Sequence, residues 1–161
     1  MNKQQQWSLV LAGALAIAAP SLAAQVGQPR TIQERARGAA RVVVATVTDT
    51  SARHERNEFG DELIITRAEL AVDESVKGPA GPATLAIEGG TVNGITMRVS
   101  DLPSLQKGER AVFFLAPGRN GEFQPYLRGQ GILKLDESNR VPDSSLTLDE
   151  IRRLAASAGG E

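Results

Sequence analysis

The chain has 161 residues, with 18 basic and 19 acidic side chains, one histidine, no cysteine and a formal net charge of −1. That balance excludes a basic nucleic-acid footprint and a polybasic membrane patch. No cysteine and a single imidazole exclude a structural or His-rich catalytic zinc site built within one chain.

Residues 1–6 are short and polar with Lys3, residues 7–19 form an apolar run, and Pro20-Ser21-Leu22-Ala23 supplies small residues two positions apart. This is the pattern of a secretory signal peptide, with cleavage expected after Ala23. The apolar run is about 13 residues long, under the roughly 18 to 20 that a spanning helix needs. Cleavage leaves about 138 residues (161 less 23), a single-domain length. The charge then falls from −1 to −2 as Lys3 leaves. An exported domain of that size without disulfides must hold itself together with an ordinary hydrophobic core. Trp7 departs with the signal, so only Tyr126, Phe59, Phe113, Phe114 and Phe123 remain as candidate platforms for bases or sugar rings.

Residues 24–30 carry Gln, Gly and Pro without periodicity and read as a flexible new N-terminus. The domain proper is expected over 31–158, with 159–161 as a tail. Thr31 and Glu34 form a capping box that predicts a short helix from Ile32 to about Ala39. Val42-Val43-Val44 and Val47 predict a strand over 41–48, covered on both faces. Residues 51–62 then read as a solvated hairpin loop.

From Ile64 to Val76 the alternation is regular: Ile64, Thr66, Ala68, Leu70, Val72 and Val76 face one way, and Arg67, Glu69, Asp73 and Ser75 the other. Leu85 and Ile87 continue the pattern. Asn93-Gly94, flanked by Val92 and Ile95, predicts a type I′ hairpin whose returning arm is Ile95, Met97 and Val99. Residues 101–108 break the period at Pro103 and turn at Lys107-Gly108. A hydrophobic strand follows over 110–116, and a last strand over 123–135 holds Gly129 and Gly131, which read as bulges. Thr147 and Glu150 repeat the capping box, with Leu148, Ile151, Leu154 and Ala155 on one helical face and Gly159-Gly160 as the stop. Both terminal helices are expected on one sheet. The fold class is mostly β: a single OB-like antiparallel barrel with a helix at each end.

The candidate chemistry is sparse. His54 lies among Arg53, Glu55 and Arg56, a solvated setting rather than the rigid one a catalytic triad needs. Glu55, Glu58, Asp61 and Glu62 lack calcium-loop order, and residues 136–139 with Asp143 read as a turn. Gly89-Gly90 and Gly129-Gln130-Gly131 lead into no helix and no Lys-Ser/Thr, so they are not phosphate loops. No catalytic residue, metal ligand or cofactor is assigned. The candidate protein-binding residues are Arg53, His54, Glu55, Arg56 and Phe59, where an aromatic stands beside arginines, together with Asn93 at the second hairpin tip.

The valine-rich first strand, Val76-Lys77-Gly78, Gly89-Gly90 with Asn93-Gly94, and Gly108-Glu109-Arg110 running into Phe113-Phe114-Leu115 resemble small exported bacterial proteins with an OB-like barrel. Those are similar in architecture to the inhibitory domain of tissue inhibitors of metalloproteinases and to netrin modules. The resemblance spans about residues 39–135. It implies a barrel that binds protein through rim loops or an edge strand. The inhibitor family docks a free N-terminal cysteine onto the protease zinc, whereas this chain would begin Ala24-Gln25 and has no cysteine. That mechanism is not carried over, and no residue of the family's site is matched.

The expectation is therefore a non-enzymatic exported module, periplasmic or secreted, that binds an extracytoplasmic protein, in its sharper form a protease. A hydrolase working through carboxylates alone, and an OB-type binder of oligosaccharide or nucleic acid, are the alternatives. Acidic balance and few aromatics weigh against nucleic acid as a partner.

Overall fold

The computed structural model describes residues 29–158. The expected signal peptide, most of the flexible segment and the Gly159-Gly160 stop lie outside the described residues. No described helix is long and apolar enough to cross a membrane.

The chain is mostly β, with helix α1 (Ile32–Gly38) at one end and α2 (Leu148–Ser157) at the other. Between them run β1 (Arg41–Arg56), β2 (Glu62–Lys77), β3 (Ala83–Glu88), β4 (Gly90–Val92), β5 (Ile95–Met97), β6 (Arg110–Pro117), β7 (Phe123–Pro125) and β8 (Ile132–Leu135). The main sheet has the order β1-β2-β3-β7-β6-β8, and β6 also pairs with β1, so the pairings return to the first strand. All are antiparallel except β3 with β7, which are parallel and joined only at Leu85 and Phe123, a departure from the expected all-antiparallel sheet. β4 and β5 make a separate hairpin.

Two cores follow from the alternation of side chains across the strands. Val43, Ala45 and Val47 of β1, Ala68 and Leu70 of β2, Leu85 and Ile87 of β3, and Phe113 and Leu115 of β6 fill the inner one. Leu105, in the segment that the sequence pattern leaves as a turn, is buried with them. On the other face, Val42, Val44, Val112 and Phe114 meet Ile32 and Ala36 of α1 and Leu148, Ile151 and Ala155 of α2. The consecutive valines of β1 thus face a core on each side, and both helices lie on that one outer face. Phe113 and Phe114 are fully buried on opposite faces; each contributes roughly 1.5–3 kcal/mol. Both capping boxes form: Thr31 with Glu34, and Thr147 with Glu150.

Three expectations are corrected. The 51–62 loop is mostly strand: β1 continues to Arg56 and pairs with β2 from Glu62, leaving a turn of residues 57–61. Val76 leaves the face it was expected to share with Val72. Bulges between Val44 and Ala45, and between Val42 and Val43, shift the register, so Val76 packs on the helix side while Val72 packs on the inner core. The last strand is two, β7 and β8, separated by a 3₁₀ turn over Arg128–Gly131. Its glycines mark close approach rather than bulging, since a Cβ at Gly129 would lie 2.0 Å from the Asp101 carbonyl oxygen and one at Gly131 2.3 Å from that of Tyr126.

The other glycine signals have specific causes. Asn93 and Gly94 both take positive φ, as the predicted hairpin turn requires, although the returning arm ends at Met97, short of Val99. Gly90 sits where β4 crosses over β1 and β2, and a Cβ there would lie 2.3 Å from Thr66 Oγ1. The Thr66 hydroxyl donates to the Gly89 carbonyl at 2.6 Å and pins this crossing.

Candidate functional site

Residues Leu63-Ile64-Ile65 are three consecutive large apolar side chains in β2. Such a run belongs to a strand with something on both faces. Ile64 packs inward, 3% exposed. Leu63 and Ile65 point the other way, into a groove of about 530 Å³ on the outside of β2 and β3.

One wall is the β1–β2 turn. Asn57 Oδ1 accepts from the amides of Phe59 and Asp61, each at 2.9 Å, and Asn57 Nδ2 donates to the Asp61 carboxylate at 3.0 Å. This self-bonded turn holds Phe59 out on the rim, 82% exposed. The facing wall is the β6–β7 turn, closed by the Gly118 amide donating to the Glu122 carbonyl at 2.8 Å and the Glu122 amide to that of Arg119 at 2.9 Å. Arg119 Nη2 reaches across to Glu58 Oε1 at 3.1 Å, so one exposed ion pair links the two turns.

On the floor, Arg67 projects from β2 with only 15% of its side chain exposed. Its Nε donates to Glu122 Oε1 at 2.5 Å and its Nη2 to Glu122 Oε2 at 3.2 Å, while Nη1 bonds Glu55. This fork-shaped pairing matches guanidinium to carboxylate geometry. Bonding to Arg67 holds the Glu55 carboxyl below the usual carboxylate range, and the two carboxylates push the Arg67 guanidinium up. At the far end Arg128 Nε donates to Asp101 Oδ2 at 2.5 Å and its Nη2 to Glu88 at 3.2 Å. That pairing lowers the Asp101 carboxyl and raises Arg128.

These groups brace the groove. Bonding to Arg67 favours the ionised form of Glu55, which accepts and so anchors the guanidinium over the groove floor. Phe123, the other aromatic residue of the lining, packs against the inner core with the Arg41 guanidinium 5.2 Å from its ring centre. Phe59 is therefore the more exposed of the two rings in the lining.

Of the six residues singled out in the sequence, Glu55, Arg56 and Phe59 line the groove. Arg53 pairs with Ile65 and His54 with Ile64 in the β1–β2 ladder, both exposed and outside the lining. Asn93 occupies the β4–β5 turn with φ of 50°, also outside it. Arg67, Glu122, Arg119 and Arg128 were not singled out. The first had a visible signal in the apolar residues beside it on the outward face; the other three come from turns whose approach depends on the tertiary fold. No protein-family model and no curated protein matches this chain.

Proposed function

We propose that this chain is an OB-like barrel acting as a non-enzymatic, exported protein-binding module that holds a segment of an extracytoplasmic partner in the β2–β3 groove. Five strands joined β1-β2-β3-β7-β6 and back to β1, with a weak β3–β7 seam, support the barrel reading, because an OB fold is a partly open five-stranded Greek-key barrel. Such folds bind on the face of strands 2 and 3, between the loops that join strands 1–2 and 4–5. The groove lies between the corresponding turns. Export rests on the N-terminal sequence pattern, and a secreted protease is the sharper form of the partner.

The observation that carries the reading is Phe59. A large ring held 82% exposed by a self-bonded turn, at the rim of a half-apolar groove, has the character of an interface anchor. The test places a photo-crosslinking amino acid at position 59, and as a control at position 137 on the β8–α2 connection, in the exported protein in its own cells. One dominant protein adduct at 59, absent at 137 and lost when Ile65→Glu is added, is the expected result. Identical adducts at both positions, or none at 59, would refute it.

A further inference from the structure

The barrel is weakest between β3 and β7. Of the six residues of β3, only Leu85 has a ladder partner on the side away from β2. The Gly89 amide donates to the Ile64 carbonyl, which sets the alternation: the N–H and C=O of Ile87 face β2, and those of Ala86 and Glu88 face away. The parallel bridge at Leu85 takes up the Ala86 amide, and among the described residues no turn, loop or side chain supplies a hydrogen bond to the Ala86 carbonyl or to the Glu88 amide and carbonyl. β7 contains Pro125, a residue that sheets tolerate at edges. This seam opens into the groove, since Ala86, Ile87 and Glu88 line one side of it and Gln124 and Pro125 the other. A strand edge with unpaired backbone inside a groove is a template for another strand.

The charge pattern narrows what that strand can be. The groove is lined by four acidic residues, Glu55, Glu58, Glu88 and Glu122, and four basic ones, Arg56, Arg67, Arg119 and Arg128. Each is already bonded to an opposite charge: Arg67 to Glu55 and Glu122, Arg119 to Glu58, Arg128 to Glu88, and Arg56 to Glu62. A charged ligand would have to break one of these pairs and strand its partner. An uncharged ligand leaves them intact.

Resting on the groove reading above, we propose that the partner segment is an extended, uncharged peptide stretch that adds as a strand to the free edge of β3 at residues 86–88. Backbone bonds give the affinity, and the ring of Phe59 covers the segment from the rim.

The test uses a random heptapeptide library displayed on phage, selected on the exported chain, with the enriched peptides then made synthetically. Phe59→Ser is expected to weaken them about tenfold or more, as loss of an anchor does. Methylating alternate peptide nitrogens should weaken binding about tenfold for one set and little for the other, because only one edge of the added strand faces β3. The Glu88 amide, which faces the seam without a partner among the described residues, should exchange about tenfold more slowly in the complex. Affinity should change less than about twofold between 0.05 and 0.5 M salt.

Binding that responds to Phe59→Ser but shows no alternation, or no slowing at the Glu88 amide, overturns strand addition and leaves the groove reading standing. Enriched peptides that carry charge and lose affinity steeply with salt overturn the uncharged class. Binding indifferent to Phe59→Ser, or no enrichment at all, removes the groove reading and this inference together. Protection of the Glu88 amide that grows with protein concentration in the absence of peptide would make the occupant a second copy of this chain and refute the peptide.

Discussion

The side chain of Tyr126 occupies the space above Gly38: a Cβ at that glycine would lie 2.0 Å from the tyrosine hydroxyl oxygen and 2.3 Å from the ring carbon bearing it. Gly38 is the last residue of α1, where exchanging glycine for alanine ordinarily gains up to about 1 kcal/mol. Here the ring must move, and overpacking of this kind costs about 1–3 kcal/mol. Gly38→Ala should therefore lower stability by about 1–2 kcal/mol in urea unfolding. The same change should cost nearly as much beside Tyr126→Phe, which keeps the ring, and become neutral or stabilising beside Tyr126→Leu. A stabilising Gly38→Ala in the parent chain would contradict this contact.

Among the described residues Arg67 is the only cation bonded to both Glu55 and Glu122. Arg67→Met leaves two half-buried carboxylates facing each other, at a cost of about 2 kcal/mol near pH 7, below the figure for a fully buried pair because water still reaches Glu55. The pH dependence has a definite sign. Glu55 has its pKa lowered by Arg67, so its contribution is full above the unfolded value of about 4.3 and is lost as pH falls through the folded value. The gap between parent and Arg67→Met should therefore be widest at pH 6–7 and narrow toward pH 3. Urea midpoints across that range decide it, and a gap that stays constant in acid would show that Arg67 acts by packing alone.

Thr66 and Gly90 hold the crossing of β4 over the long hairpin. Thr66→Val removes the hydroxyl that donates to the Gly89 carbonyl at 2.6 Å, and a buried acceptor left without its donor costs about 1–3 kcal/mol. Gly90→Ala should cost more, about 3 kcal/mol or above, since it adds backbone strain at φ of 132° to an overlap with the same threonine. Equal urea midpoints for the two variants would refute that order.

What could be read from the sequence was whatever local chemistry dictates. Thr31 with Glu34 and Thr147 with Glu150 announced both helices, because a capping box satisfies its own donors within four residues. Asn93-Gly94 announced its turn through the positive φ it needs. Long-range geometry stayed hidden. Nothing in residues 51–56 says that β1 continues, because Arg53, His54, Glu55 and Arg56 look solvated until β2 supplies their ladder partners. The bulges that send Val76 to the outer face arise from pairing with β1, and Gly129 and Gly131 are small because Asp101 and Tyr126 come close, contacts distant in sequence or set by the 3₁₀ turn. The candidate site was half legible for the same reason: Glu55, Arg56 and Phe59 lie in one stretch of chain, while Arg119, Glu122 and Arg128 reach the groove from elsewhere.

Lys77 shows how such a distant contact can fix a local element. Its Nζ donates to the carbonyl oxygens of Ala36 at 2.7 Å, Arg37 at 3.1 Å and Ala39 at 2.7 Å, which closes the C-terminal end of α1. A cation there also suits the helix dipole. With seven residues, α1 is too short to persist by its own backbone bonds, so its last turn depends on this ammonium group and on Ile32 and Ala36 in the outer core. Lys77→Met should cost about 1.5–3 kcal/mol, the range for hydrogen bonds to a charged donor, with the loss felt first as local opening of α1. Trypsin should then cut after Arg35 or Arg37 at least about tenfold faster, as expected when a local opening free energy falls by 1.4 kcal/mol or more. Amide exchange at Val43 and Phe113, which report the inner core, should change only as far as global stability does. Faster cleavage with those core amides little altered would identify Lys77 as the cap of α1. Cleavage at the parent rate would mean that Ile32 and Ala36 alone keep the helix docked.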